Sequence, residues 1–240
     1  MLILAFDTTS ERGGVGIFRD AECLAMVPND GPANRYSVTL FEMVDQALAQ
    51  AHLEQREIEL YAAANGPGSF TGIRVGLAAA RAWGKAFTRP VRGVSVLEAL
   101  VSKVRLTTEW AFPILDARRG EFFLGGFRRK SSNGPSATVP DYEPADAGWI
   151  LTPQSLQAFL EERLSSVTSA TALVRGHDQA AADLRASLPA SLNWQRVEGT
   201  LVDSIAAIAL REEHTGGPNP DANLDAYYIR RPDAEINWKD

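Results

Sequence analysis

An apolar run at residues 2–6 breaks at Asp7-Thr8-Thr9-Ser10, resumes at 15–18 and returns at 23–27. Short apolar blocks separated by polar or glycine-bearing turns predict three strands joined as an antiparallel meander. The period then changes. Val38, Leu40, Phe41, Val44, Ala47, Leu48 and Ala51 recur at threes and fours, which predicts an amphipathic helix from Ser37 to Ala51. A strand over 58–64, a helix over 71–87, a strand over 91–94 and a helix over 97–104 follow. Pro67 and Gly68 stop the strand, and Ser69 or Thr71 can cap the helix after it. The order is βββαβα.

The second half opens in the same way. Phe112-Pro113-Ile114-Leu115-Asp116 is an apolar strand ending in Asp, then Ala117-Arg118-Arg119-Gly120 turns into Glu121-Phe122-Phe123-Leu124. Beside the opening Ile3-Leu4-Ala5-Phe6-Asp7 this reads as a weak internal repeat, or as two hairpins alike by chance. Residues 131–148 are rich in Ser, Pro, Asp and Ala and read as a surface excursion. Helices over 153–164, 179–188 and 202–213 alternate with a strand at 172–175 and one more before the last helix. The predicted organisation is a first lobe over 1–105 with the helix near 200–214 packing back on it. A second, degenerate lobe covers 106–199 and a tail covers 215–240.

Within the 71–87 helix, Gly72, Gly76, Ala80 and Gly84 fall four apart on one ridge. Each interior glycine costs about 0.8–1 kcal/mol relative to alanine, so three cost roughly 2–3 kcal/mol that close backbone approach must offset. The approaching element is either the protein's own sheet or a partner subunit; the pattern fits both. The preceding Gly66-Pro67-Gly68-Ser69-Phe70-Thr71-Gly72 loop resembles a phosphate cradle in composition only. Ile73-Arg74 stand where a Walker loop would carry Lys and Ser or Thr, and the glycine spacing differs from the dinucleotide fingerprint.

Composition narrows the function classes. The 240-residue chain is 45% hydrophobic with a formal net charge of −6, enough for a real core and unlike a protein that wraps nucleic acid by its own charge. Arg118-Arg119, Arg128-Arg129-Lys130 and Arg230-Arg231 are short and scattered through the sequence and read as solvated surface charge. Cys23 is the one cysteine; its apolar neighbours predict a buried, inert thiol. The opening lacks a basic leader region, and no apolar run approaches the roughly 20 residues of a membrane helix, so a cytoplasmic protein is expected. His52, His177 and His214 lack metal-ligand spacing.

Taken together, Ile3-Leu4-Ala5-Phe6-Asp7-Thr8-Thr9, Gly66 to Gly76, Val94 to Leu100, Asp116-Ala117-Arg118-Arg119-Gly120-Glu121 and Tyr228-Ile229-Arg230 resemble the TsaB (YeaZ) family in content and order. The resemblance implies an α/β, actin-like (ASKHA, ribonuclease H-like) fold with two lobes, each a mixed β-sheet flanked by helices. It implies a non-catalytic subunit that pairs with TsaD and supports the ATPase TsaE. That complex transfers a threonylcarbamoyl group to N6 of adenosine 37 in tRNAs reading ANN codons. In the family the first-lobe helices form the TsaD contact; carried over, Tyr36, Leu40, Val44, Gly72, Arg74, Gly76 and Ala80 would line it. Asp7, Thr8, Thr9 and Ser10 correspond to a vestigial phosphate hairpin, the expected place for a cofactor contact.

The chain itself is expected to need no cofactor and no metal, with room left for a nucleotide at the partner interface and for a homodimer in the partner's absence. tRNA is met through the complex, and no membrane is involved. The catalytic paralogue carries two metal-binding histidines four apart on its first helix; here the region reads Asn34-Arg35-Tyr36-Ser37-Val38. Arg118-Arg119 replace the small residues of a kinase's second hairpin, and Arg175-Gly176-His177-Asp178 lacks the paired glycines of an adenosine site. The competing readings are a small-molecule kinase of the same fold, an inactive peptidase-like homologue, and a homodimeric adaptor without tRNA modification as its task.

Overall fold

In the computed structural model, which describes residues 1–29, 31, 35–130 and 142–216, the chain divides into two compact units. The first comprises Met1–Ala99 with the segment beginning at Gly199; the second comprises Leu100–Glu198. The division falls at Ala99, within the helix Val96–Ser102 (α3). The tail beyond 216, with the Tyr228-Ile229-Arg230 motif, lies outside the described residues.

Strands β1 (Leu2–Asp7), β2 (Gly14–Arg19) and β3 (Glu22–Pro28) form the expected meander. β4 (Leu60–Gly66) and β5 (Val91–Ser95) join it in parallel, giving the order β3-β2-β1-β4-β5. Helices α1 (Tyr36–Ala51) and α2 (Phe70–Phe87) cover one face of this sheet, where Leu4, Phe6, Val15, Ile17, Tyr61 and Ala63 meet Leu40, Val44, Ile73 and Leu77. The last helix, α6 (Val202–Thr215), packs on β1, β2, β4 and β5 of the same sheet. It buries Val202, Ile205, Ala206, Ile208 and Ala209, with Val202 close to Gly16 of β2. Cys23 is exposed, not buried: it lies near the start of the edge strand β3, whose inward positions are Ala25 and Val27. Partial desolvation, and then the Asp203 carboxylate, raise its pKa.

The second unit repeats the plan. β6 (Trp110–Arg118) and β7 (Glu121–Leu124) form an antiparallel hairpin, with β10 (Trp149–Leu151) added antiparallel to β7. β11 (Ala170–Arg175) and β12 (Asn193–Val197) extend the sheet in parallel on the other side. The order β10-β7-β6-β11-β12 is that of the first sheet, strand for strand. Helices α4 (Pro153–Leu164) and α5 (Gln179–Asp183) hold the chain positions of α1 and α2. The similarity of the two Asp-ended hairpins therefore marks two copies of one lobe. Two short strands are additions: β9 (Tyr142–Pro144) lies within the segment read as a surface excursion, and β8 (Phe127–Arg129) precedes it. The helix expected over 179–188 is shorter, continuing from Leu184 as a single 3-10 turn.

The end of α6 is fastened to β5 and α3 by charge. The Arg92 guanidinium, almost fully buried, places Nε 3.0 Å and Nη2 2.7 Å from Oε2 of Glu213. Arg211 meets Glu98 at 2.8 Å. Glu212 sits among these groups with its Oε2 buried and unbonded, and burial, then the charge of Glu98, raise its pKa against the pull of Arg92 and Arg211.

A carboxyl that ionises less readily in the folded chain than in the unfolded one subtracts stability as pH climbs through that interval. Glu212→Gln should therefore raise stability toward urea at about pH 7.5, and its advantage should vanish by about pH 4. An advantage that instead grows on acidification would contradict the assignment.

Candidate functional site

The loop after β1 is held by its own side chains. Oδ1 of Asp7 accepts the Thr9 N–H at 2.9 Å and the Thr9 hydroxyl at 2.6 Å, while the Thr8 hydroxyl donates to the Gly72 carbonyl at 2.7 Å. The Thr9 carbonyl accepts the Ser69 N–H at 2.8 Å, and the Ser10 carbonyl accepts the Tyr36 hydroxyl at 3.1 Å. Asp7, Thr8 and Thr9 are buried; Ser10 is half-buried. These bonds run through Asp7, Thr8, Thr9 and Ser10, the positions expected as a vestigial phosphate hairpin: the Asp7 carboxylate engages both donors of Thr9, and the Thr8 hydroxyl points into α2.

The glycine ridge packs against that same loop. A Cβ at Gly72 would lie 1.9 Å from the Thr8 carbonyl oxygen, and one at Gly76 would lie 2.5 Å from Thr8 Oγ1. At the far end a Cβ on Gly84 would lie 2.2 Å from Val91 Cγ2. Helix α2 thus approaches the loop after β1 and the Val91 side chain of β5 more closely than a side chain at these positions would permit. Of the two approaches open to the ridge, the chain's own sheet is the one realised. Ser69 caps α2, accepting the Gly72 N–H at 3.2 Å, so the helix begins at Phe70.

These contacts overturn six of the seven proposed interface residues. Tyr36, Leu40, Val44, Gly72, Gly76 and Ala80 are all buried within the first unit. An apolar stripe at threes and fours is what a helix turns toward its own core, so it is unavailable to a partner. Arg74 is exposed, with its guanidinium carbon 3.8 Å above the ring of Phe70. The side chains exposed on these helices are Val38 (65%), Phe41 (56%) and Phe70 (43%), the large exposed hydrophobics among the described residues. Around them, α1 presents Glu42 and Asp45, and α2 presents Arg74, Arg81 and Lys85. Phe41 is buttressed edge-on by Trp83, ring centroids 5.3 Å apart. Helical geometry could have found Val38: two residues from Leu40, it lies about 160° away around the axis.

The hairpin of the second unit is likewise closed by carboxylates. Asp116 Oδ1 accepts the Arg118 N–H at 2.7 Å, and Asp178 Oδ2 accepts the Asp116 N–H at 2.9 Å. Arg118, Arg119 and Gly120 are three consecutive left-handed residues, so the turn is a tight one capped by two exposed arginines. Asp178 also caps α5 through the Ala181 N–H. Beside it, a Cβ on Gly176 would lie 2.2 Å from the Glu198 carboxylate. His52 closes the end of α1 in a left-handed conformation, and His214 sits in the last turn of α6. Among the described residues no three His, Cys, Asp or Glu side chains are grouped to hold a metal ion, and no helix is long and apolar enough to cross a membrane.

Three comparisons place this geometry among known proteins. The family model described as TsaD, tRNA N6-adenosine threonylcarbamoyltransferase, matches residues 26–142. The tRNA threonylcarbamoyladenosine biosynthesis protein TsaB of Bacillus subtilis (strain 168) is 31% identical over 251 aligned positions, covering 99% of this chain and 98% of the relative. TsaB of Buchnera aphidicola subsp. Schizaphis graminum is 23% identical over 133 positions, 55% of this chain and 62% of that one. The solved structure of YeaZ from Pseudomonas aeruginosa superposes with a TM-score of 0.70 at 19% identity, covering 94% of this chain and 99% of that one, a likeness of fold.

The contact between ridge and loop can be tested by a double-mutant cycle. Gly76→Ala should destabilise by about 1–3 kcal/mol despite alanine's higher helix propensity, because its methyl meets the Thr8 hydroxyl. In a Thr8→Ala background, which forfeits about 1 kcal/mol for the buried hydrogen bond, the same change should cost clearly less. Additive losses in chemical denaturation would show that the two residues do not meet.

Proposed function

Because the chain belongs to the TsaB family of tRNA threonylcarbamoyladenosine biosynthesis proteins, we propose that it is the accessory subunit that binds a TsaD homologue through the outer faces of α1 and α2. In this reading the chain performs no chemistry itself. It stabilises the partner's active conformation and helps to recruit the ATPase TsaE, and tRNA is modified at N6 of adenosine 37 by the assembled complex in the cytoplasm.

The observation that carries the proposal is the exposed apolar trio Val38, Phe41 and Phe70, set on two rigid helices whose inner faces are locked to the sheet. Exposed aromatic side chains and an arginine, rimmed by charges on each helix, make the composition of an interface. The rim is split by sign, acidic on α1 and basic on α2, so a partner helix pair of reversed polarity would meet it in one orientation. A second copy of the chain, turned by a twofold axis, also offers that polarity, which supports a homodimer when the partner is absent. Against a kinase reading stand the two hairpins, each with backbone donors engaged by the chain's own carboxylates. A nucleotide at the partner interface stays within the proposal as a group that the partner would hold.

The first turns of α1 and α2 contain no acidic residue, although helix N-termini favour one. Val38→Asp and Phe70→Asp should therefore leave thermal stability unchanged or slightly raised. Each should weaken binding to the TsaD homologue by roughly thirtyfold or more, about 2 kcal/mol, as measured by calorimetric titration. Unchanged affinity in both variants would place the interface elsewhere.

A further inference from the structure

The fold gathers cations that the sequence leaves apart. β8 runs antiparallel to the start of β6, with Arg128 opposite Trp110 and the Arg129 N–H donating to the Glu109 carbonyl at 2.9 Å. The Arg129 guanidinium reaches further back and donates to the Thr107 carbonyl at 2.7 Å, two residues from Arg105. Arg105, Arg128, Arg129 and Lys130 thus share one end of the second sheet, and all four are exposed. Arg128-Arg129-Lys130 is exposed, as a reading of surface charge expects, and Arg105 joins it from a distant part of the sequence. Two carboxylates accompany them. Glu143 pairs across from Arg128, and Glu109 lies 3.8 Å from Arg128 with its other oxygen accepting the Thr168 N–H and hydroxyl. Among these described residues, four cations stand with two acids, an excess of the opposite sign to the chain's net charge of −6.

We infer that this end of the second unit is a contact surface for the phosphodiester backbone of a structured RNA, so that the chain touches tRNA directly in addition to serving its partner. Strand pairing and the Arg129 bond fix the backbone that carries the cations, and guanidinium groups suit phosphate oxygens. An anionic membrane is the other polyanion such a surface could meet. Inserted apolar side chains add to charge in holding a protein on a membrane, and the large exposed hydrophobics among the described residues are Val38, Phe41 and Phe70 of the first unit. The inference rests on the tRNA-modification reading, because that reading supplies the RNA.

The test is the binding of fluorescently labelled, unmodified tRNA to the full chain across a KCl series. Three phosphate contacts predict a slope of log affinity against log salt of roughly −2 to −3. The triple variant Arg105→Glu, Arg128→Glu, Lys130→Glu leaves Arg129 and its Thr107 bond in place. At about 100 mM KCl it should lose tenfold or more in affinity, and its slope should flatten toward zero. Should reversal at Arg128 unsettle the fold beside Glu109 and Glu143, the double variant Arg105→Glu, Lys130→Glu should still flatten the slope by roughly 1.4–1.8. Unaltered affinity and slope in a folded variant would overturn the inference. So would stronger binding to phosphatidylglycerol vesicles than to tRNA. Titration with the TsaD homologue separates the two readings: a wild-type chain that fails to bind it but keeps the charge-dependent tRNA slope refutes the docking proposal alone. One that binds it normally while the triple variant keeps the wild-type slope refutes this inference alone.

Discussion

The close approach of the loop after β1 to the glycine ridge of α2 governs the first lobe. Thr8 donates its hydroxyl into the carbonyl of Gly72, and no side chain could stand at Gly72 or Gly76 without entering that loop. This one contact has two effects. It draws α2, and α1 beside it, down onto the sheet, so their small and aliphatic faces become core and their outer faces are held rigid. It also turns the hydroxyl of Thr8 inward, while Asp7 engages Thr9. The loop after β1 becomes part of the packing beneath α2. Interiors packed at this density leave little room for intermediate arrangements.

The second lobe repeats the first in strand order and reaches a similar closure by different residues. There the turn is closed by Asp116 and Asp178, with Glu198 lying against Gly176. Repetition of the plan with each copy's donors engaged by its own carboxylates suits a lobe pair that has kept an architecture and put it to use as a surface. On this account the functional regions are external: an apolar helical face with split charge on the first unit and a basic strand end on the second.

Much of this was legible in the sequence. Apolar blocks, turn residues and the change of period from two to 3.6 give the meander, α1, α2 and the repeated hairpin, because each is a local signal. The motifs gave the family as well. What escaped the sequence depends on direction and on distant pairing. Leu40 and Val38 are both apolar residues of α1; helical geometry sets them on opposite sides, and only the core decides which side is covered. The glycine ridge announces close approach without naming what approaches. Cys23 sits among apolar neighbours but near the start of an edge strand, where burial depends on the covering element. Arg105 and Lys130 are 25 positions apart, and only the pairing of β8 with β6 brings them together.

The central claim is that the outer faces of α1 and α2 are where this chain meets its catalytic partner. Hydrogen exchange on the chain, alone and saturated with the TsaD homologue, tests it most directly. The account predicts added protection concentrated in peptides covering residues 36–46 and 70–82. Protection confined to the second unit, with those two helices exchanging as they do in the free chain, would contradict it.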